Sequence, residues 1–130
     1  MISFWANHVA ATREEWGEQV VLSVDGDLAA ERYLVVQGSD SYDEQDVKLG
    51  MNDIYVETCG QGWSWYGNIV SFELSRDGVS VQLSRKAATQ MGNDGRVEVS
   101  FSLDEPEYGN LRHTLQRIFD GKDYFRDATA

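Results

Sequence analysis

Residues 96–103 alternate between apolar and polar side chains without a break: Val97, Val99, Phe101 and Leu103 on one face of an extended chain, Glu98, Ser100 and Ser102 on the other. Successive side chains of a strand point to opposite sides, so this run gathers its apolar groups on one face only as a β-strand. Val79, Val81 and Leu83 against Ser80 and Gln82 repeat the same period. They follow Asp77-Gly78, which reads as the two-residue loop of a hairpin because Gly accepts the positive φ of such turns. Two half-apolar strands of this kind require an antiparallel sheet with one packed and one solvated face.

Further β-rich runs cover residues 2–10, 19–24, 32–37, 54–58 and 68–75. Polar residues 12–18, the Asp25-Gly26-Asp27 turn and Gly60-Gln61-Gly62 punctuate them. The acidic segment 40–48 reads as a loop or strand edge. Residues 84–91 form a short helix, with Ser84 at the N-cap and Gly92 for the left-handed C-terminal position. A longer helix opens at Asp104, whose side chain caps it while Glu107 reaches back, with Pro106 in the first turn. Its apolar stripe is Tyr108, Leu111, Leu115, Ile118 and Phe119. Gly109 costs about 1 kcal/mol relative to Ala there, which suggests close packing on the sheet. The predicted fold is α+β: a mostly antiparallel β-sheet with a short helix and a C-terminal helix packed on it. At 130 residues the chain suits one domain, expected over 1–121, with a mobile tail at 122–130 whose large apolar groups are Tyr124 and Phe125.

Charge narrows the functional classes. Against 22 Asp and Glu stand 11 Lys and Arg, a net −11. Nucleic acid binding needs cations that displace counterions from phosphate, so this field repels polyanions and anionic membrane surfaces alike. Residues 1–65 hold 12 acids against Arg13, Arg32 and Lys48, a balance of −9. Such an excess solvates a domain and steers a basic partner towards it. The opening MISFWANHVAATREEW lacks the basic and apolar regions of a signal peptide, and no run of ~18 apolar residues occurs that could span a membrane. With a lone Cys59 and no internal disulfide, the expected location is the cytoplasm.

Catalytic constellations do not assemble. His8 and His113 read as solvated or hydrogen-bonded structural residues, and Cys59 as a small buried apolar group. Gly60-Gln61-Gly62 lacks the Lys and Ser/Thr of a phosphate loop, SDSYDEQD lacks the glycine-centred spacing of a calcium loop, and nothing selects two carboxylates for glycoside hydrolysis. The chain is therefore expected to be no enzyme, with neither cofactor nor metal.

Residues 42–66 instead concentrate Asp43, Glu44, Asp46, Asp53 and Glu57 ahead of Trp63, Trp65 and Tyr66. Carboxylates beside large rigid aromatics offer a cationic partner attraction and a desolvated anchor, the composition of an interface hot spot. The candidate partner-binding residues are Asp43, Glu44, Asp46, Glu57, Trp63, Trp65 and Tyr66. Trp63 and Trp65 share one face of an extended segment, either in the core or on an exposed platform. On a platform, Trp63, Trp65 and Tyr66 would give the runner-up reading, a carbohydrate- or small-ligand-binding β-rich domain.

The runs YDEQDVKLGMNDIYVE, YGNIVSFELSRDGVSVQLSRKAATQMG and VEVSFSLDEPEYGNLRHTLQRIF, in this order, resemble the immunity protein 10 family of bacterial polymorphic-toxin systems. The resemblance covers residues 33–119 and rests most on Asp43 to Met51 and on the hairpin around Arg76-Asp77-Gly78. It implies a small cytoplasmic antitoxin-like protein that binds and neutralises a cognate toxin domain encoded beside it. A toxin that attacks nucleic acid carries a basic cleft, to which a negative inhibitor is steered.

Overall fold

The structure, a computed structural model, describes residues 1–24, 32–50, 52–58 and 63–129. In chain order its strands are β1 (Ile2–Trp5), β2 (His8–Arg13), β3 (Gly17–Ser23), β4 (Tyr33–Ser39), β5 (Tyr55–Thr58), β6 (Ser64–Tyr66), β7 (Ile69–Ser75), β8 (Gly78–Leu83), β9 (Arg96–Ser100) and β10 (Phe125–Asp127). The helices are α1 (Glu44–Lys48), α2 (Arg85–Met91) and α3 (Glu105–Ile118). The α+β class read from the sequence holds, with two mostly antiparallel sheets in place of one.

The first sheet has the order β1-β9-β8-β7-β10. Its centre is the alternating pair: Val79 faces Val99 and Val81 faces Val97, all buried, while Ser80, Gln82 and Glu98 lie on the other face. The β7–β8 turn is Arg76-Asp77, one residue earlier than expected, and Gly78 is already strand, opposite Ser75. Its value is closeness: a Cβ there would sit 2.4 Å from the Val99 carbonyl oxygen. Arg76 donates to the Leu103 carbonyl at 2.8 Å and stacks 4.6 Å above the Tyr108 ring, which docks the hairpin on α3.

The second sheet is a meander in the order β2-β3-β4-β5-β6, antiparallel throughout. The expected single run at 2–10 is thus two strands in two sheets. The crossing lies at Ala6, which is buried and donates to the Ser100 carbonyl at 2.8 Å. Val20, Leu22, Leu34, Val36, Val56 and Trp65 form this sheet's buried face. One hydrophobic cluster takes in that face, the apolar face of the first sheet, Ala87 and Met91 of α2, and the α3 stripe.

Both expected caps occur: Ser84 accepts from the Ala87 amide with Gly92 left-handed at φ 70°, and Asp104 and Glu107 form a capping box. α3 packs on β2, β3 and β4, and Tyr108, Leu111, Leu115 and Ile118 are buried as expected, with Thr114 added. Gly109, in contrast, faces open space, with no heavy atom within 4 Å of a Cβ built on it. The segment 40–48 is also more than a loop, because Asp43 and Asp46 close a capping box that starts α1. In 122–130, expected as a mobile tail, β10 runs parallel to β7, and Phe125 stacks on Phe119 with ring centroids 5.0 Å apart. Cys59, Gly60-Gln61-Gly62, Met51 and the Asp25-Gly26-Asp27 turn lie outside the described residues. Among the described residues no helix is long and apolar enough to cross a membrane.

Candidate functional site

Because strand side chains alternate, the face of the second sheet opposite its core carries the residues that flank the buried ones along each strand. Register places Val35, Glu57 and Ser64 in one row across β4, β5 and β6, and Gln37, Tyr55 and Tyr66 in the next. Glu57 is half-buried and is held from two sides: the Tyr33 hydroxyl donates to its Oε2 at 2.5 Å and the Tyr55 hydroxyl donates to its Oε1. The Tyr55 ring leans on Tyr66, with centroids 5.2 Å apart and planes at 58°. Burial first, then the hydrogen bond to Glu57, pushes the Tyr55 phenol up from its ordinary value. The phenol stays a donor and the carboxylate an acceptor.

This aromatic row continues towards α1. Tyr42 donates to the Asp53 carbonyl at 3.2 Å. Burial raises its pKa most, and the charges of Asp53, Asp46 and Tyr66 add to that against the lowering effect of a Ser39 backbone hydrogen bond. Tyr42 therefore stands in electrostatic range of both the sheet face and the helix. α1 buries no residue, and Val47 and Leu49 are 56% and 62% exposed. Asp43 Oδ1 accepts from the Asp46 amide at 2.8 Å and Asp46 Oδ2 from the Asp43 amide at 3.0 Å, so two of the candidate acids also build the helix. Among the described residues Asp43, Glu44, Asp46 and Glu57 have no Lys or Arg partner.

Five of the seven candidates fall in two groups, Glu57 and Tyr66 on the sheet face and Asp43, Glu44 and Asp46 at the start of α1, linked by Tyr42, which is in electrostatic range of both Tyr66 and Asp46. The tryptophans do not join them. Trp65 is 8% exposed, lies in the core and donates through Nε1 to Gln90 Oε1 at 2.6 Å; Trp63 is partly buried against the same core. Their shared strand face is the inner one, so Trp65 is removed from the anchors and no exposed Trp63–Trp65 stacking platform forms. Tyr55 was legible as a member of the site, two residues before Glu57 on one strand. Tyr33 was not, because it reaches Glu57 through strand pairing across 24 positions.

A neighbouring cleft of about 340 Å³ is lined by Arg13, Asp40, Tyr42, Asp53, Arg117 and Lys122 among others. Its charges largely answer one another: Arg13 holds both oxygens of Asp40 at 2.7 and 2.5 Å, Arg117 meets Glu18 at 2.5 Å and Lys122 meets Asp53 at 3.4 Å. Tyr124, pushed up to about 12 by burial first and then by Asp53, Tyr42 and Asp123, lies beside it. His8 and His113 are exposed, on an edge strand and on α3. Among the described residues no three His, Cys, Asp or Glu gather as metal ligands.

Comparison with known proteins adds one finding. The family model of immunity protein 10 matches residues 6–109, which takes in β2 and β3, upstream of where the sequence resemblance begins, and the segment containing Trp63 and Trp65. No curated protein and no solved structure matches the chain.

Proposed function

The chain belongs to the immunity protein 10 family, and on that premise we propose that it is a cytoplasmic, non-catalytic inhibitor that binds and neutralises a basic, nuclease-type toxin domain encoded beside it. The contact surface in this reading is α1 with Asp43, Glu44 and Asp46, together with Glu57 and Tyr66 on the adjoining sheet face. One observation carries the assignment: among the described residues these carboxylates have no basic partner, whereas those of the neighbouring cleft largely do. Unpaired charge raises the rate of encounter with an oppositely charged protein, and the exposed Tyr66 supplies contact area at small entropic cost. The imbalance of −9 in residues 1–65 has the sign a basic toxin requires.

The test begins with co-expression: cells making the neighbouring toxin domain survive when this chain is present and die when it is absent. Asn caps helices about as well as Asp, so Asp43→Asn with Asp46→Asn and Glu44→Gln removes charge and retains the cap. This triple variant is expected to associate with the toxin domain about tenfold more slowly and with a shallower salt dependence. Unchanged association rate and salt slope would take α1 out of the contact.

A further inference from the structure

We propose that Glu57, clamped between the hydroxyls of Tyr33 and Tyr55 and with the ring of Tyr66 in the next row of the same sheet face, is a preorganised receptor for one arginine side chain of the partner. The inference rests on the inhibitor reading above and specifies the chemistry of its central contact.

The geometry favours a cation and, among cations, a planar one. Each Glu57 oxygen already accepts one phenolic hydrogen, which fixes the plane of the carboxylate. Two carboxylate oxygens offer about four acceptor positions, so capacity remains for a forked pair of N–H donors. The cross-strand neighbour is Ser64 on one side and Val35 on the other, neither of which brings a charge. Tyr66 is 39% exposed and tilted against Tyr55, whose hydroxyl reaches Glu57, so an exposed aromatic ring stands one row from the carboxylate on the same sheet face. A guanidinium can stack on such a ring while it forks onto the carboxylate; an ammonium, a strongly hydrated point charge, gains less from either feature. The raised pKa of Tyr55 agrees with a phenol kept as donor to Glu57. A carboxylate held in place before binding loses little side-chain freedom when its partner arrives.

The experiment measures binding of the full chain to the neighbouring toxin domain for wild type, Glu57→Gln and Tyr66→Ala. Glu57→Gln is expected to weaken binding at least tenfold, mostly through faster dissociation, and an alanine scan of the toxin arginines should find one whose loss is non-additive with it. Tyr66→Ala, which leaves both hydrogen bonds to Glu57 in place, should weaken binding severalfold and decides the matter if Glu57→Gln does not fold. Wild-type binding with both folded variants within twofold of it overturns the receptor and leaves the inhibitor reading intact. Coupling to a toxin lysine in place of an arginine overturns the planar-cation assignment. Absence of wild-type binding overturns both readings.

Discussion

Single side chains in this protein often do two jobs, and hydrogen bonds show which dominates. Asp43 and Asp46 carry charge outward and start α1; Arg76, part of the family-like hairpin motif, holds that hairpin on Tyr108 and so marks the fold. Asp127 has a structural role of the same kind. Burial opposes its ionisation, but hydrogen bonds from Arg112, Thr129 and Gln116 overcome that and hold its carboxyl at about 2 against an ordinary 3.8. A depressed carboxylate stabilises the fold above its unfolded pKa, and that stability is lost as pH falls from about 4 through about 2. Asp127→Asn should therefore cost on the order of 2 kcal/mol at neutral pH, with the gap to wild type closing below pH 4. Urea midpoints at pH 7, 4, 3 and 2 check this, and a gap of constant size would assign the loss to something other than ionisation.

At the scale of elements, local grammar was dependable and its silences were informative. The caps at Ser84 and Asp104, the α3 stripe and the period-two strands appear where the sequence places them, because each depends on residues within about four positions of one another. α1 was legible in principle from the Asp43–Asp46 spacing, yet the segment's acidity and short length suggest a loop. β6 and β10 are three residues each, too short for a periodic signal. Gly109 shows the limit of reading a residue type alone: it suggests tight packing, and α3 leaves it facing open space. Gly109→Ala is accordingly expected to raise stability by about 0.5–1 kcal/mol, seen as a higher denaturation midpoint. A lower midpoint would mean that the added methyl group meets something on folding.

For the whole molecule, two sheets and α3 close over one core, and the segment after Gly121 takes part in it. Phe125 lies against Phe119 and Phe72, and the Ala128 amide donates to the Leu74 carbonyl at 2.8 Å. Truncation after Gly121 should lower stability by about 3 kcal/mol or more, comparable with deleting one large aromatic side chain. An unchanged urea midpoint in the truncated chain would make 122–130 the mobile tail its sequence suggests. By itself the sequence determined the strand periods, the helix caps, the acidic imbalance and the family, since all of these reside in local order and composition. Only the tertiary structure decided that residues 2–10 divide between two sheets, that Trp65 turns inward, and that Tyr33 meets Glu57 from another strand. The physical reason is that a period of two defines two faces without saying which is buried, and that choice is made by what packs against the sheet.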